Sequence, residues 1–297
     1  MSERPDTASF GDDVPPQLTL SSTVTVIVLA AALMHAAWNT ILKSAESKLL
    51  ETTLITVSAG VIACVTLPFL PLPRADAWPW LAASVALHIV YFLMVAGAYR
   101  FGDLSHSYPL MRGGAPLLVT LATPLVLSEV ASPQITAGVL LVSIGVACPA
   151  FVTLLRPNTG AATAFAALNA VVIATYTVVD GQGARLSGNS VSYSQWLFFL
   201  NAFGIAAVAL LRHQRGVFPY ARRRLWHGLV GGALTVGAYG IVVWAMTKAP
   251  VAAVAALRET SVVFAAVIGA TLLKEPLGAA RVTGALVVAC GIALLKI

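Results

Sequence analysis

Long apolar runs separated by short polar breaks dominate the chain. Ten runs can be marked, at approximately 20–42, 52–72, 78–98, 104–127, 134–155, 161–180, 194–211, 227–247, 250–273 and 280–296. A bilayer core about 30 Å thick needs roughly 20 apolar residues per helix, so each run is of spanning length. Lipid satisfies no backbone polar group, which leaves helices or a closed barrel. The alternating segments of about ten residues that mark a barrel are absent. The pattern predicts an all-α polytopic membrane protein with ten transmembrane helices. The breakers agree: Pro68, Pro71 and Pro73 end the second run, and Arg156-Pro157-Asn158-Thr159-Gly160 separates the fifth from the sixth. No loop is long enough to hide a soluble domain.

The second break divides the chain nearly in half, and the halves repeat. Displaced by 146 residues, Arg112 meets Arg258, Glu129 meets Glu275, Gly138 meets Gly284 and Gly145 meets Gly291. Leu127/Leu273, Leu140/Leu286, Val142/Val288 and Ala147/Ala293 also match. The Arg and Glu pairs carry the information, because charged residues are scarce here. Five helices per half is an odd count, so the halves cross the membrane in opposite senses. Two inverted five-helix repeats are a recurring plan of secondary transporters, with the site near the midplane between halves. The expected division is an acidic, disordered tail at 1–17, a first repeat at 18–156 and a second at 160–297.

Composition narrows the class. Hydrophobic residues make up 58% and charged residues 10%, against about 25% charge in a soluble domain. Secreted disulfide scaffolds, disordered chains and nucleic-acid binders are excluded. The net charge of +6 is concentrated in Arg212, Arg215, Arg222, Arg223 and Arg224, as in a cytoplasmic loop beside anionic lipid. That loop alone tips the positive-inside count toward both termini lying outside. Cys64, Cys148 and Cys290 are too scattered for a disulfide framework or metal cluster and read as small buried hydrophobes. Trp78, Trp80 and Trp226 read as interface anchors.

An ionisable side chain within a spanning helix costs a few kcal/mol and needs an account. Arg112 lies well inside the fourth run, in Leu110-Met111-Arg112-Gly113-Gly114-Ala115-Pro116. Arg258 lies at matching depth in the ninth, followed by Glu259. Inversion brings the arginines to comparable depths from opposite faces. They suit an electropositive site for a carboxylate, phosphate or phosphonate, which guanidinium binds bidentately. Alternatively they pair internally with Glu259 or Asp180 and lock helices together. Asn169, Tyr176 and Asp180 form one polar face of the sixth run, either a cavity wall or, for Asp180, a helix end at the interface. His35, Trp38 and Asn39 share a face of the first run; His88 and Tyr91 share one in the third; Tyr108 stands one turn before Arg112. Tyr239 and Trp244 are candidate aromatic walls. His35 and His88 are candidates to carry a proton, and Asp180 or Glu259 to act as coupling or charge partners. Pro109, Gly113, Gly114, Pro116 and Pro124 predict a kinked or unwound fourth helix at Arg112, with no equivalent cluster in the ninth. The paired glycines predict close helix packing.

Rival classes are an intramembrane enzyme and a scaffold. The chain lacks HExxH, a GxSxG elbow and a second membrane aspartate to pair with Asp180, and no cofactor or metal motif is present. Within the transporter class, an anionic or zwitterionic substrate competes with efflux of cationic or amphipathic compounds.

At these residues the chain resembles the drug/metabolite transporter superfamily, specifically its EamA-type members. The carrying segments are AALMHAAWNTILKSA (31–45), AYRFGDLSHSYPLMRGGAPLL (98–118) and VAALRETSVVFAAVIGATLLKEPL (254–277). Within the superfamily it is similar to the phosphonate-utilisation-associated membrane proteins. The resemblance implies ten helices in two inverted repeats, a central pocket built from helices 1, 3, 4, 6, 8 and 9, a small-metabolite substrate and a bacterial inner membrane. It implies cytoplasmic termini, against the charge count. The family's acidic residue closing the fourth and ninth helices falls on Glu129 and Glu275, while the glycine usual before it is replaced by Ser128 and Lys274.

Overall fold

The computed structural model describes residues 18–101, 104–154, 160–213, 216–272, 274 and 278–296. The acidic tail, Arg156, Arg215 and Glu275 lie outside these. Among the described residues there are eleven α-helices and no strand. They are α1 Ser22–Lys43, α2 Lys48–Thr66, α3 Trp78–Phe101, α4 Leu104–Val126, α5 Pro133–Leu154 and α6 Gly160–Leu186, then α7 Ser190–His213, α8 Val217–Ala245, α9 Val251–Glu259, α10 Ser261–Leu272 and α11 Ala279–Leu294. Seven described spans are long and apolar enough to cross a membrane. This is a multi-pass membrane protein.

Local chemistry sets the boundaries. Ser21 caps α1 by accepting from Val24 N at 3.2 Å. The sixth run does not stop at Asp180 but continues to Leu186, because Gly181 and Gly183 are tolerated inside a packed helix. A Cβ at Gly181 would lie 2.9 Å from Val251 Cγ2. The chain turns at Gly188, where φ is +74°, and Asn189 then caps α7 by accepting from Ser192 N at 2.9 Å. α8 begins ten residues earlier than its apolar run and kinks at Arg224 (φ −115°, ψ 21°).

The fourth helix is not unwound at Arg112. α4 runs through Pro109, Pro116 and Pro124. Each proline removes one helical hydrogen bond, and Thr123 Oγ1 donates at 3.3 Å to the Thr120 carbonyl that Pro124 leaves free. Gly113 and Gly114 serve packing instead. A Cβ at Gly113 would meet the Ser143 carbonyl at 2.8 Å, and one at Gly114 would meet Ala170 Cβ at 3.3 Å. The interruption falls in the ninth run, at Thr260 between α9 and α10.

α6 packs against α3 and α4, and α1 against α8 and α10; α2 lies between α7 and α8, and α5 against α11. The glycine stripes make the last contact close: a Cβ at Gly145 would lie 2.6 Å from the Gly284 carbonyl oxygen. Backbone cannot yield there as a side-chain tip can. Gly145→Ala is expected to cost about 1–3 kcal/mol, read as a lower unfolding temperature in detergent. The cysteines correct the sequence reading. Cys64 and Cys290 are exposed on outward helix faces and Cys148 is half-buried, because lipid, not only protein, is an apolar environment for a thiol.

Candidate functional site

All nine residues of α9 are buried. Its Val/Ala-rich sequence lets α1, α4, α5, α6 and α8 approach closely, which places its last turn at the centre of the bundle. Thr260 ends it, donating from Oγ1 to the Leu257 carbonyl at 2.7 Å. Arg258 and Glu259 therefore sit at the interruption, deep inside.

Arg112 of α4 meets them there. Its Nε stands 2.6 Å from Glu259 Oε2, a charge contact whose N–H is not aligned on that oxygen. Arg258 places Nε and Nη2 each 3.4 Å from Glu259 Oε1. Arg112, Arg258 and Glu259 are 2%, 3% and 0% exposed, so two guanidiniums share one carboxylate, and among the described residues no second carboxylate touches them. Arg112 Nη2 also reaches Ser261 Oγ at 3.3 Å and His35 Nε2 at 3.4 Å. Accepting from a guanidinium requires a bare Nε2, hence a neutral His35. Each arginine lies 5.9 Å from a tyrosine ring centre, Arg112 over Tyr108 and Arg258 over Tyr176. Such stacking offsets part of a buried charge, about 0.5–2 kcal/mol.

Tyr176 links the arginines to a second cluster. His88 lies 4.4 Å from its ring and Tyr91 5.8 Å, and His88 lies 5.8 Å from Tyr239. His88 Nδ1 is 2.9 Å from the Ser84 carbonyl, which makes Nδ1 the protonated nitrogen. Asp180 accepts from Tyr193 Oη at 2.9 Å and from Tyr239 Oη. Among the described residues no cation pairs with it. Tyr91, Tyr108, Tyr239, His35, Trp38 and His88 are only partly buried. Trp38 packs edge-on against His35 at 5.0 Å, and its Nε1–H has no partner among the described residues.

At one mouth of the bundle α4, α6 and α8 end and α9 begins. Ser128 takes a left-handed φ of 54° and directs Glu129 back over that mouth. Glu129 Oε1 accepts from Arg185 Nη2 at 2.7 Å. Its Oε2 accepts from Val251 N at 3.1 Å, capping an α9 whose Pro250 offers no side-chain cap. Arg185 also donates to the Met246 carbonyl at 2.9 and 2.8 Å. Two side chains thus tie four helix ends.

The sequence-derived residues largely converge: Arg112, Arg258, Glu259, His35, Trp38 and Tyr108 in one cluster, Tyr91, His88, Tyr176, Tyr239 and Asp180 in the next. Asp180 lies inside α6, not at its end. Asn39 stays apart, its side chain donating to the His35 carbonyl of its own helix at 2.8 Å. Asn169 is buried and bonds Met111 Sδ at 3.1 Å, and Trp244 packs with the apolar core. Ser261 and Tyr193 are not among the sequence-derived residues; the only sequence signal for Tyr193 is its place in the polar stretch just before the seventh run. The pairing of Arg185 with Glu129 cannot be read from spacing within one helix.

Residues 161–297 match the model of the EamA-like transporter family, part of the drug/metabolite transporter superfamily. The matched stretch contains Tyr176, Asp180, Tyr239, Arg258 and Glu259. None of the curated proteins matches. A solved structure titled only "Crystal structure of protein" is similar at a TM-score of 0.76 and 18% identity, over 93% of this chain and 99% of that one. That likeness concerns the fold alone.

Proposed function

We propose, from the EamA-like character of residues 161–297, that this chain is a secondary transporter. It carries a small anionic or zwitterionic metabolite by alternating access across a bacterial inner membrane. The observation that carries the substrate class is the sharing of one carboxylate, Glu259, by Arg112 and Arg258. A bare charge in that setting is costly, and a substrate carboxylate or other oxyanion would complete it. Trp38 Nε1–H and the tyrosine faces supply further contacts.

The reading places the site between two inverted five-helix repeats, 18–156 and 160–297. Packing supports this. Exchange α1 with α6, α2 with α7, α3 with α8, α4 with α9–α10, and α5 with α11. The α3–α6 contact then becomes α8–α1, α4–α6 becomes α10–α1, and α2–α8 becomes α7–α3, all of them present. Ser128 and Lys274, with φ of 54° and 55°, are the described non-glycine residues of positive φ, and they stand at equivalent places in the two halves. Rocking one half against the other would open and close the mouths in turn. The Glu129–Arg185 tie is the latch of the mouth it closes.

Asp180, held by Tyr193 and Tyr239 without a cation, favours a second reading in which a cationic or amphipathic compound is exported. Thermal unfolding of the purified protein against anionic, zwitterionic and cationic metabolites separates the two. A ligand at 100 times its Kd adds about 2.7 kcal/mol. Stabilisation by an anion or zwitterion is expected. Stabilisation by cations alone favours export, and a protein that binds none of them favours a scaffold.

A further inference from the structure

The opposite mouth, where α1 ends and α2 and α8 begin, carries a feature that transport does not use. The first turns of α8, Val217 to Arg223, precede the kink at Arg224. Buried Glu51 of α2 fixes that kink: Arg224 Nε lies 2.6 Å from its Oε2, and Tyr220 Oη donates to the same oxygen at 2.5 Å. With Tyr220 and Arg224 turned inward, the other side of the segment faces out.

That outward side alternates apolar and cationic groups. Phe218 and Arg222 stand one helical turn apart, Trp226 follows just beyond the kink, and Phe218 and Trp226 are 75% and 76% exposed. Two such rings would be poorly placed in water but suit the headgroup level of a bilayer. Arg222 forms no ion pair among the described residues. Arg223 is also exposed, stacks 5.8 Å from the Tyr220 ring and reaches Glu46 at 2.7 Å. Glu46 is the one described acidic group facing the patch, and it is itself 77% exposed, so the pair is weak. Phe218, Pro219, Arg222 and Arg223 line a shallow, open depression. Arg212 and Lys48 add positive charge at the same mouth.

We propose that this depression binds the headgroup of an anionic phospholipid. The phosphate lies between Arg222 and Arg223, and the acyl chains run down past Phe218 and Trp226. Guanidinium fits a phosphate in two-point fashion. The flanking aromatics argue for a lipid over a soluble phosphate, because a soluble ligand would have no use for exposed rings at the end of a spanning helix. The site is independent of the central arginines and of any transported substrate.

The test is fluorescence quenching by brominated lipid, read as the difference between wild type and Trp226→Phe. The protein is reconstituted in phosphatidylcholine, with brominated phosphatidylglycerol or brominated phosphatidylcholine added. Each cationic side chain near an anionic headgroup is worth about 1 kcal/mol, or about fivefold in affinity. Phosphatidylglycerol is therefore expected to outcompete phosphatidylcholine by roughly 25-fold. Arg222→Gln, which breaks no ion pair among the described residues and should fold normally, is expected to cut that preference about fivefold. Arg222→Gln with Arg223→Gln brings it near parity. Equal quenching by the two lipids in the wild type overturns the proposal. So does a preference unchanged in the double variant, or displacement of phosphatidylglycerol by free glycerol phosphate, which would mark a site for a soluble oxyanion.

Discussion

Replacing Glu259 by glutamine is expected to cost about 3–5 kcal/mol, the range for breaking a buried ion pair from one side. The reason is the sharing of one carboxylate. Glu259 lies 2.6 Å from Arg112 Nε and 3.4 Å from Arg258 Nη2, and it is 0% exposed. Without its charge, two guanidiniums stay buried together and repel. Rescue distinguishes this from a mere loss of packing. Arg258→Gln added to Glu259→Gln removes one of the two stranded charges and should regain part of the stability, so the two substitutions are strongly non-additive. Thermal unfolding in detergent reads both. A single Glu259→Gln variant as stable as wild type would mean that the carboxylate does not hold the arginines.

A second large effect is expected at the latch. Glu129 satisfies both Arg185 and the first amide of α9. It thereby combines a charge-assisted hydrogen bond, worth about 1.5–3 kcal/mol, with a negative charge at a helix N-terminus. Glu129→Gln keeps the shape and removes the charge. A loss of about 2 kcal/mol moves a closed–open equilibrium roughly 30-fold. The measurement is labelling of a cysteine at Ala249, buried beside the latch, by a membrane-impermeant maleimide, with Cys64, Cys148 and Cys290 replaced by alanine. Labelling should quicken by an order of magnitude or more in Glu129→Gln. An unchanged rate would make the contact a static brace. Arg185→Gln should behave alike, because its other bonds, to the Met246 carbonyl, do not involve α4.

Much of this was legible along the chain, and for physical reasons. Apolar run length reports on a bilayer directly, so the helices fall close to their expected places. A charge inside such a run is expensive enough to be informative by itself, which is why Arg112, Arg258, Glu259 and Asp180 could be singled out. What the residues could not give was pairing. Whether Arg258 meets Glu259 or Asp180 depends on how α6 and α9 face each other, and no spacing within one helix encodes that. The proline-and-glycine cluster in α4 misled because prolines in a packed membrane helix find compensation, as Pro124 does through Thr123, and because Gly113 and Gly114 answer to Ser143 and Ala170 on other helices. The glycine normally used before a closing acid signals a left-handed backbone. Ser128 and Lys274 adopt that backbone without it, so the structure there is kept while the residue type is not.

The central claim is that the positive charge shared by Arg112 and Arg258 is a binding site and not only a structural pair. The most direct measurement is the thermal stabilisation given by the best anionic or zwitterionic ligand, compared between wild type, Arg112→Gln and Arg258→Gln. Either substitution leaves one arginine to cancel Glu259, so the site becomes neutral. The account predicts that both variants fold and that each loses most of the roughly 2.7 kcal/mol expected at 100 times Kd. Full stabilisation of both variants by the same ligand would contradict it and return the arginines to a structural role.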